Sequence, residues 1–319
     1  MKVSPLTQLI VNLLVIIFLI SIIFFGGYYL YQKFVNPEAD SILSFFGTGE
    51  DKNVLNVSSQ ATQLLPNLRF SEKRVSYFMS PECSSNPKAT NNFRLARDAI
   101  EEGTGIITFH PESKENADIL VTCSKETRET AEGSLIAGEG GVSQYLKSTT
   151  YPVILKANVS LNEESSCDYP VVAVHELLHA FGFEHISNPE VILYPYVRCN
   201  QRIDSKMIEM LKNIYAIESL PDVYFNMNKT EAIRDGNYFN LTVQIENKGL
   251  VNSKSVVFNV YADGTKIFTR ILDEVSLDAG SIIFLYDARL PSDNTLIKLE
   301  LISTEKELNK ENNIVELKV

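Results

Sequence analysis

Residues 174–185 read VHELLHAFGFEH, and this stretch decides how the chain is interpreted. On an α-helix, residues four positions apart lie on one face with their Cβ atoms about 5–6 Å apart. His175 and His179 can therefore contact the same metal ion. Gly182 allows the helix to end and the chain to turn back, because glycine has no Cβ to clash at positive φ. His185 then approaches from outside the helix as a third ligand.

The three histidines predict one catalytic Zn²⁺ ion. Three protein ligands leave the fourth position of zinc open for water, whereas structural zinc is enclosed by four. Glu176 lies next to His175, so it can reach a zinc-bound water without binding the metal and act as a general base. The chain contains four histidines, and the one outside the motif, His110, is predicted to be an ordinary surface or strand-end residue.

The spacing H-E-x-x-H-x-x-G-x-x-H resembles the zinc signature of the metzincin peptidases. The segment that follows it, residues 185–196, resembles the connection between the third histidine and the Met-turn in matrixins. Leu193 stands where that family has the methionine of the turn, and the resemblance implies that it packs beneath the metal without binding it. Tyr194, Pro195 and Tyr196 are expected to form the wall of a specificity pocket, with ordinary turn packing as the alternative.

The sequence around the motif alternates between strand and helix patterns. Together with the resemblance, this predicts an α+β metzincin-like catalytic domain over residues 72–219, with a twisted mixed sheet and three helices. Residues 133–141 are rich in glycine and are interpreted as a loop. Residues 152–161 are strand-like, and we expect an extended substrate to lie along them as an edge strand.

From residue 222 onward the pattern changes to short strands in which apolar and polar residues alternate. Residues 222–319 are therefore predicted to form an all-β, immunoglobulin-like sandwich. Within them, residues 243–249, 260–264 and 307–315 resemble the cell-adhesion-related domain found in bacteria (CARDB). That resemblance implies a spacer, or a module that binds a surface partner, and no chemistry.

The N-terminal sequence predicts a membrane anchor. No charged residue lies between Lys2 and Lys33, and residues 9–30 are almost entirely apolar. A bilayer core needs about 20 such residues as helix, whereas a cleaved signal peptide has an apolar core of only about 7–15. We expect residues 1–33 to form an uncleaved transmembrane helix and residues 34–71 a stalk. The protein would then be a single-pass protein of the cell membrane with its folded domains outside the cytoplasm.

The four cysteines agree with export, because an even number in an exported chain is typical of disulfides. Four cysteines allow three pairings, and four reduced, buried thiols are the alternative. The matrixin resemblance makes the first and third strands neighbours, which implies a bridge between Cys83 and Cys123. It also implies a bridge between Cys167 and Cys199, on the two flanks of the metal site.

Composition excludes one class of partner. With a net charge of −11, the chain has no general attraction for nucleic acid. We predict a membrane-anchored zinc endopeptidase that hydrolyses peptide bonds of extracytoplasmic proteins or peptides. The alternative is a non-catalytic cell-surface adhesion protein with a structural metal site. Glu176 favours the enzyme, because a structural site does not need it. No calcium site can be assigned from the sequence.

Overall fold

The computed structural model describes residues 61–319 except 125–127, 130–134, 149, 163–166, 278 and 292–294, and for 128–129 and 135–136 it describes the backbone alone. The predicted anchor over residues 1–33, and most of the predicted stalk, lie outside the described residues. Among the residues that are described, no helix is both long enough and apolar enough to cross a membrane.

The first part of the described chain contains a six-stranded sheet. Its strands are β1 (Arg69–Phe70), β2 (Arg74–Met79), β3 (Thr108–Pro111), β4 (Ile119–Cys123), β7 (Gly138–Leu146) and β8 (Val153–Leu161), and β5 (Arg128–Glu129) and β6 (Leu135–Ile136) form a separate pair. All strand pairs in the large sheet are parallel except that of β7 with β8. The predicted α+β domain with a mixed sheet and three helices is confirmed.

The order of the strands corrects the expected position of the substrate strand. Strand β8 is bonded along one side to β7, and on the other side to β1 at its start and to β4 at its end. It is therefore an interior strand, and the expectation that residues 152–161 form an edge was wrong. The edge on this side of the sheet is β7, whose first four residues belong to the stretch 133–141 that the sequence predicts to be a loop.

Three helices pack against this sheet: α1 (Pro87–Thr104), α2 (Val171–Ala180) and α3 (Ser205–Ala216). Helix α1 begins where the side chain of Asn86 accepts a hydrogen bond from the Ala89 amide, and ends at Gly105 with a φ of 67°. The Asp204 side chain caps α3 in the same way. Helix α2 has no side-chain cap, but almost all of its residues are buried, so tertiary packing stabilises it.

Residues just before the predicted domain boundary belong to the core. Leu68, Arg69 and Phe70 are almost completely buried. The Arg69 guanidinium donates hydrogen bonds to the carbonyls of Ile214 and Ile217, each at 2.9 Å. These bonds join β1 to the end of α3, so the folded domain begins before the predicted residue 72.

The second part of the described chain consists of two four-stranded sheets. One contains β9 (Val223–Phe225), β10 (Glu231–Asp235), β11 (Tyr238–Asn247) and β14 (Ser281–Arg289), and the other contains β12 (Val256–Ala262), β13 (Thr265–Leu272), β15 (Leu296–Ser303) and β16 (Ile314–Lys318). Alternate residues of β11 are buried, and the two sheets share one hydrophobic core. The prediction of an all-β second part is confirmed, and only short 3₁₀ turns interrupt the strands that are described there.

Candidate metal centre

The three histidines of the motif converge on one point. His175 and His179 lie one turn apart on α2, and their Nε2 atoms are 2.9 Å apart. The Nε2 atom of His185 lies 3.2 Å from that of His175. Two nitrogens that bind one tetrahedral zinc ion lie about 3.3 Å apart, given Zn–N bonds of about 2.0–2.1 Å. The spacing of the three imidazoles therefore suits a single ion.

Backbone carbonyls fix which nitrogen of each helical histidine faces the centre. The Nδ1 atom of His175 lies 2.6 Å from the carbonyl oxygen of Ile192. The Nδ1 atom of His179 lies 2.6 Å from that of Phe183. A carbonyl oxygen accepts hydrogen bonds only, so each Nδ1 carries the proton and donates it. Each Nε2 therefore presents a lone pair to the centre, as a metal ligand must.

Burial keeps these imidazoles neutral. It lowers the pKa of His175 from 6.5 to about 4 and that of His179 to about 3. Burial lowers the pKa of His185 as well, although its side chain is the most exposed of the three. Neutral imidazole is the form that binds a metal, so the site is ready for a cation near neutral pH.

The turn after α2 brings the third histidine to the other two. Gly182 has a φ of 80°, a conformation that side chains disfavour. A Cβ atom there would also lie 2.6 Å from Cδ2 of Leu68, so both the backbone and the packing require glycine. Beyond this turn, the Ile186 amide donates a hydrogen bond to the carbonyl of Leu193, which holds the segment after His185 against the following turn.

The donor set indicates which metal fits. The three imidazoles form a cluster with no carboxylate or thiolate ligand among the described residues. Calcium and magnesium prefer oxygen ligands, whereas zinc binds imidazole readily. Three ligands, one of them exposed, leave a position open to solvent, as in catalytic zinc sites. The residues present therefore fit the Zn²⁺ ion that the sequence predicts.

Glu176 is buried beside the cluster, on the face of α2 that packs against β7. Burial, followed by the nearby negative charge of Glu139, raises its pKa to about 8. A Cβ atom added to Gly140 of β7 would lie 2.2 Å from the carbonyl oxygen of Glu176, so the strand approaches the helix as closely as glycine permits. Such close packing fixes the position of Glu176 relative to the edge strand.

Both predicted disulfides are present in the structure. Cys83, in a short 3₁₀ turn over Pro81–Ser85, is joined to Cys123 at the end of β4. Cys167, just before α2, is joined to Cys199, which follows the turn that contains Leu193. The second bridge thus links the two segments that flank the histidine cluster.

The residues expected to support the site lie in one turn, which runs from the core to the surface. Leu193 is completely buried in the main core, which agrees with a packing role. The ring centroids of Tyr194 and Tyr196 are 5.8 Å apart, and Tyr196 is 60% exposed. Pro195 between them is exposed. Their role as a pocket wall stays a prediction.

Sequence reasoning missed the contribution of β7 to the site. The signal was present, because glycines at alternate positions 138 and 140 place two residues without side chains on one face of a strand. The high glycine content of residues 133–141 by itself predicts a loop. The structure shows that the glycines permit the close approach to α2.

A family model matches the part of the chain that contains the three histidines. The model of the peptidase M10 family, described as matrixin, matches residues 69–216. No curated protein matches the chain. Among solved structures, a CARDB domain from Pyrococcus furiosus in complex with di-metal ions is 17% identical, with a TM-score of 0.28 over 31% of this chain and 87% of that one. A domain of a putative cell surface protein from Methanosarcina acetivorans is also 17% identical, with a TM-score of 0.27 over 31% of this chain and 90% of that one.

Proposed function

We propose that the matrixin-like domain at residues 69–216 is a zinc-dependent endopeptidase, with His175, His179 and His185 as metal ligands and Glu176 as general base. The observation that carries the proposal is the convergence of three neutral imidazoles, whose Nε2 atoms lie 2.9 and 3.2 Å apart in two of the pairs, beside a buried carboxylate. The match of residues 69–216 to the matrixin family model supports it.

When bound, zinc polarises the scissile carbonyl and lowers the pKa of a coordinated water to about 7. The chain supplies the remaining chemistry. Glu176 accepts the proton that the water loses as it attacks the carbonyl carbon, and then donates this proton to the amine that leaves. In the absence of a cation, burial raises the pKa of Glu176 and so favours its protonated carboxyl. A divalent cation held by the three histidines would lower this pKa and favour the carboxylate, which is the form of Glu176 that accepts a proton.

The edge strand β7 supports a mode of substrate binding. Within the described residues β7 pairs with β8 alone, so its outer backbone groups can bond to an extended peptide. Gly138 and Gly140 bring this edge next to Glu176. A peptide that adds to β7 as an antiparallel strand would present a backbone amide to the metal centre, largely independently of its side chains. This arrangement suits hydrolysis of a peptide bond.

We also propose that the enzyme works outside the cytoplasm, with residues 1–33 as its membrane anchor. The uncharged apolar run between Lys2 and Lys33 supports the anchor. The two disulfides support an oxidising compartment. Extraction of membranes at alkaline pH tests the anchor: the full-length chain should stay in the membrane pellet, and a chain that lacks residues 1–33 should be released. Release of the full-length chain would contradict the anchor.

The function is tested by cleavage of casein with the full-length chain. After removal of metal and addition of one equivalent of Zn²⁺, we expect cleavage that a chelator abolishes and that zinc restores. Glu176→Gln keeps the size of the side chain but cannot accept the proton, so this variant should bind zinc and lose at least 100-fold in rate. A zinc-loaded Glu176→Gln variant as fast as the parent would refute the general base. No cleavage by the zinc-loaded parent would favour the non-catalytic adhesion protein.

A further inference from the structure

A cavity of about 390 Å³ lies where the hairpin between β7 and β8 meets the β-sandwich. Leu146, Lys147 and Ser148 line it from the hairpin, and Tyr224, Glu246 and Lys248 are among the sandwich residues opposite. A hydrogen bond from Ser148 Oγ to the carbonyl of Lys248, 3.5 Å long, connects the two sides. The cavity therefore begins where the edge strand ends.

Among the residues that the structure describes, the charged ones that line the cavity are three lysines, at positions 147, 229 and 248, and one glutamate. The carboxylate of Glu246 already accepts four hydrogen bonds, from Tyr224, Asn226, Gln244 and Lys229. Lys229 is thus paired with Glu246, at 3.2 Å. Because the carboxylate of Glu246 is already bonded to these donors, it does not neutralise the charges of Lys147 and Lys248.

Lys147 and Lys248 carry the remaining positive charge. Lys147 is exposed, and neither lysine forms an ion pair with a carboxylate of the described residues. The Nζ atom of Lys248 lies 4.7 Å from the centroid of the Tyr224 ring, which positions the ammonium at the cavity without neutralising it. The whole chain has a net charge of −11, whereas the described residues that line this cavity are three lysines and one glutamate, so their charge is more positive than that of the average surface.

Strand β7 connects the cavity to the metal centre. It runs from Gly138, beside Glu176, to Leu146, which lines the cavity. A strand rises about 3.4 Å per residue, so the cavity lies roughly 27 Å from the scissile bond along this edge. When a peptide adds antiparallel to β7, its N-terminal part runs towards the cavity. The residue that reaches the cavity is then about eight residues before the scissile bond.

We infer that this cavity binds acidic side chains of the substrate, about eight residues N-terminal to the bond that is cleaved. The inference rests on the proposed peptidase function and specifies its substrate class: proteins with an acidic segment upstream of an extended cleavage site. Lys147 and Lys248 provide the charge that recognises this segment, and the free edge of β7 provides the path to the metal centre.

The test uses one cleavable fluorogenic core peptide and the zinc-loaded full-length chain. Four substrates are compared. The first is the core peptide alone, and the second and third carry a Glu-rich or a Gln-rich extension of ten residues at the N-terminus. The fourth carries the Glu-rich extension at the C-terminus. At low ionic strength we expect kcat/KM for the N-terminal Glu peptide to exceed that for its Gln counterpart roughly fivefold. The C-terminal extension should give no such gain.

Charge variants assign the effect to the cavity. The double variant Lys147→Gln/Lys248→Gln should lose the preference for the Glu extension and cleave the core alone at the parental rate. The control Lys88→Gln/Lys266→Gln removes the same charge from exposed positions outside the cavity lining and should keep the preference. Equal cleavage of the Glu and Gln peptides, or a preference that survives in the cavity variant, would overturn the inference.

A binding measurement separates this inference from the proposed function. The labelled Glu-rich decapeptide without the core should bind the full-length chain in fluorescence anisotropy, and the cavity variant should bind it at least fivefold more weakly. If the core peptide is not cleaved at all, the peptidase function fails while this comparison still decides whether the cavity binds acidic segments. Equal binding by parent and cavity variant would contradict the site.

Discussion

The Cβ atom that Gly138 lacks would lie 2.7 Å from Cγ of Glu176 and 2.8 Å from its Oε1. It would also lie 2.9 Å from Cγ1 of Val172, one turn earlier on α2. The carboxylate of Glu176 therefore occupies space that is open only because residue 138 has no side chain. This close approach of Gly138 couples the position of the edge strand β7 to that of Glu176, the proposed general base.

Gly138→Ala should slow catalysis without removing the metal. The added methyl displaces the flexible Glu176 side chain, and a displacement near 1 Å can lower the rate about 100-fold. We expect kcat to fall 10- to 100-fold while KM and zinc content stay close to those of the parent. Steady-state kinetics and metal analysis on the same preparation measure all three.

Two neighbouring glycines give matched controls for that substitution. A Cβ on Gly141 would meet no atom within 4 Å, so Gly141→Ala should keep the parental kcat. A Cβ on Gly140 would lie 2.2 Å from the backbone oxygen of Glu176, so Gly140→Ala should destabilise the fold itself. If Gly138→Ala and Gly141→Ala have the same kcat, the coupling between Gly138 and Glu176 does not exist.

The stability of the metal-free protein should depend on pH through the buried histidines. Burial lowers the pKa of His175 to about 4 and that of His179 to about 3, below the 6.5 of an unfolded histidine. The unfolded state therefore binds more protons across this interval, and the stability is present above pH 6.5 and lost as pH falls towards 4. Thermal unfolding between pH 4 and 7 measures this loss.

Substitutions identify the groups responsible for that pH dependence. His179→Gln removes one titrating group and should make the fall in Tm between pH 6.5 and 4 shallower. A slope that His179→Gln does not alter would show that this imidazole does not titrate as its burial requires.

Arg69 should contribute strongly to stability through backbone carbonyls. It is fully buried, and its guanidinium donates to the carbonyls of Phe70, Ile214 and Ile217 while its Cζ lies 4.4 Å from the centroid of the Tyr215 ring. Arg69→Met fills the space but removes the donors, and each buried acceptor left unpaired costs about 1–3 kcal/mol.

Urea denaturation measures the Arg69 contribution. We expect Arg69→Met to lower the free energy of unfolding by about 3 kcal/mol. The free energy of unfolding of Arg69→Lys should lie between those of Arg69→Met and the parent, because one ammonium cannot reproduce the planar set of donors. A loss below about 1 kcal/mol for Arg69→Met would mean that water replaces the guanidinium at these carbonyls.

The two disulfides should differ in their effect on the metal centre. Their sequence separations, 40 and 32 residues, are similar, so removal of either disulfide should cost about 3–4 kcal/mol of stability. Cys167→Ser/Cys199→Ser frees both flanks of the histidine cluster and should weaken zinc binding about tenfold. Cys83→Ser/Cys123→Ser is the matched control and should keep the parental zinc affinity. Equal zinc affinities in competition with a chelator would contradict this difference.

The metal ligands could be predicted from the sequence because their geometry is local. His175 and His179 are brought together by one helical turn, and His185 by a glycine turn three residues later. The helices could be predicted for the same reason, since caps such as Asn86 and Asp204 act over two or three residues.

The position of the edge strand could not be predicted in the same way. Strand β7 is held by pairing with β8 and by packing against α2, both of which are non-local. Its glycines lower its local strand propensity, so the sequence indicated a loop. For the same reason the sequence does not show that β8 is an interior strand, because the order of strands depends on long-range pairing. The buried Arg69 was missed because arginine is seldom buried.

The most direct test of this account is X-ray absorption at the zinc edge of the full-length chain loaded with one equivalent of Zn²⁺. We predict three imidazole nitrogens at about 2.0–2.1 Å and one further light atom that is not a histidine nitrogen. His185→Ala should reduce the number of imidazoles to two. A spectrum with fewer than three imidazoles in the parent, or one that His185→Ala leaves unchanged, would contradict the proposed zinc centre.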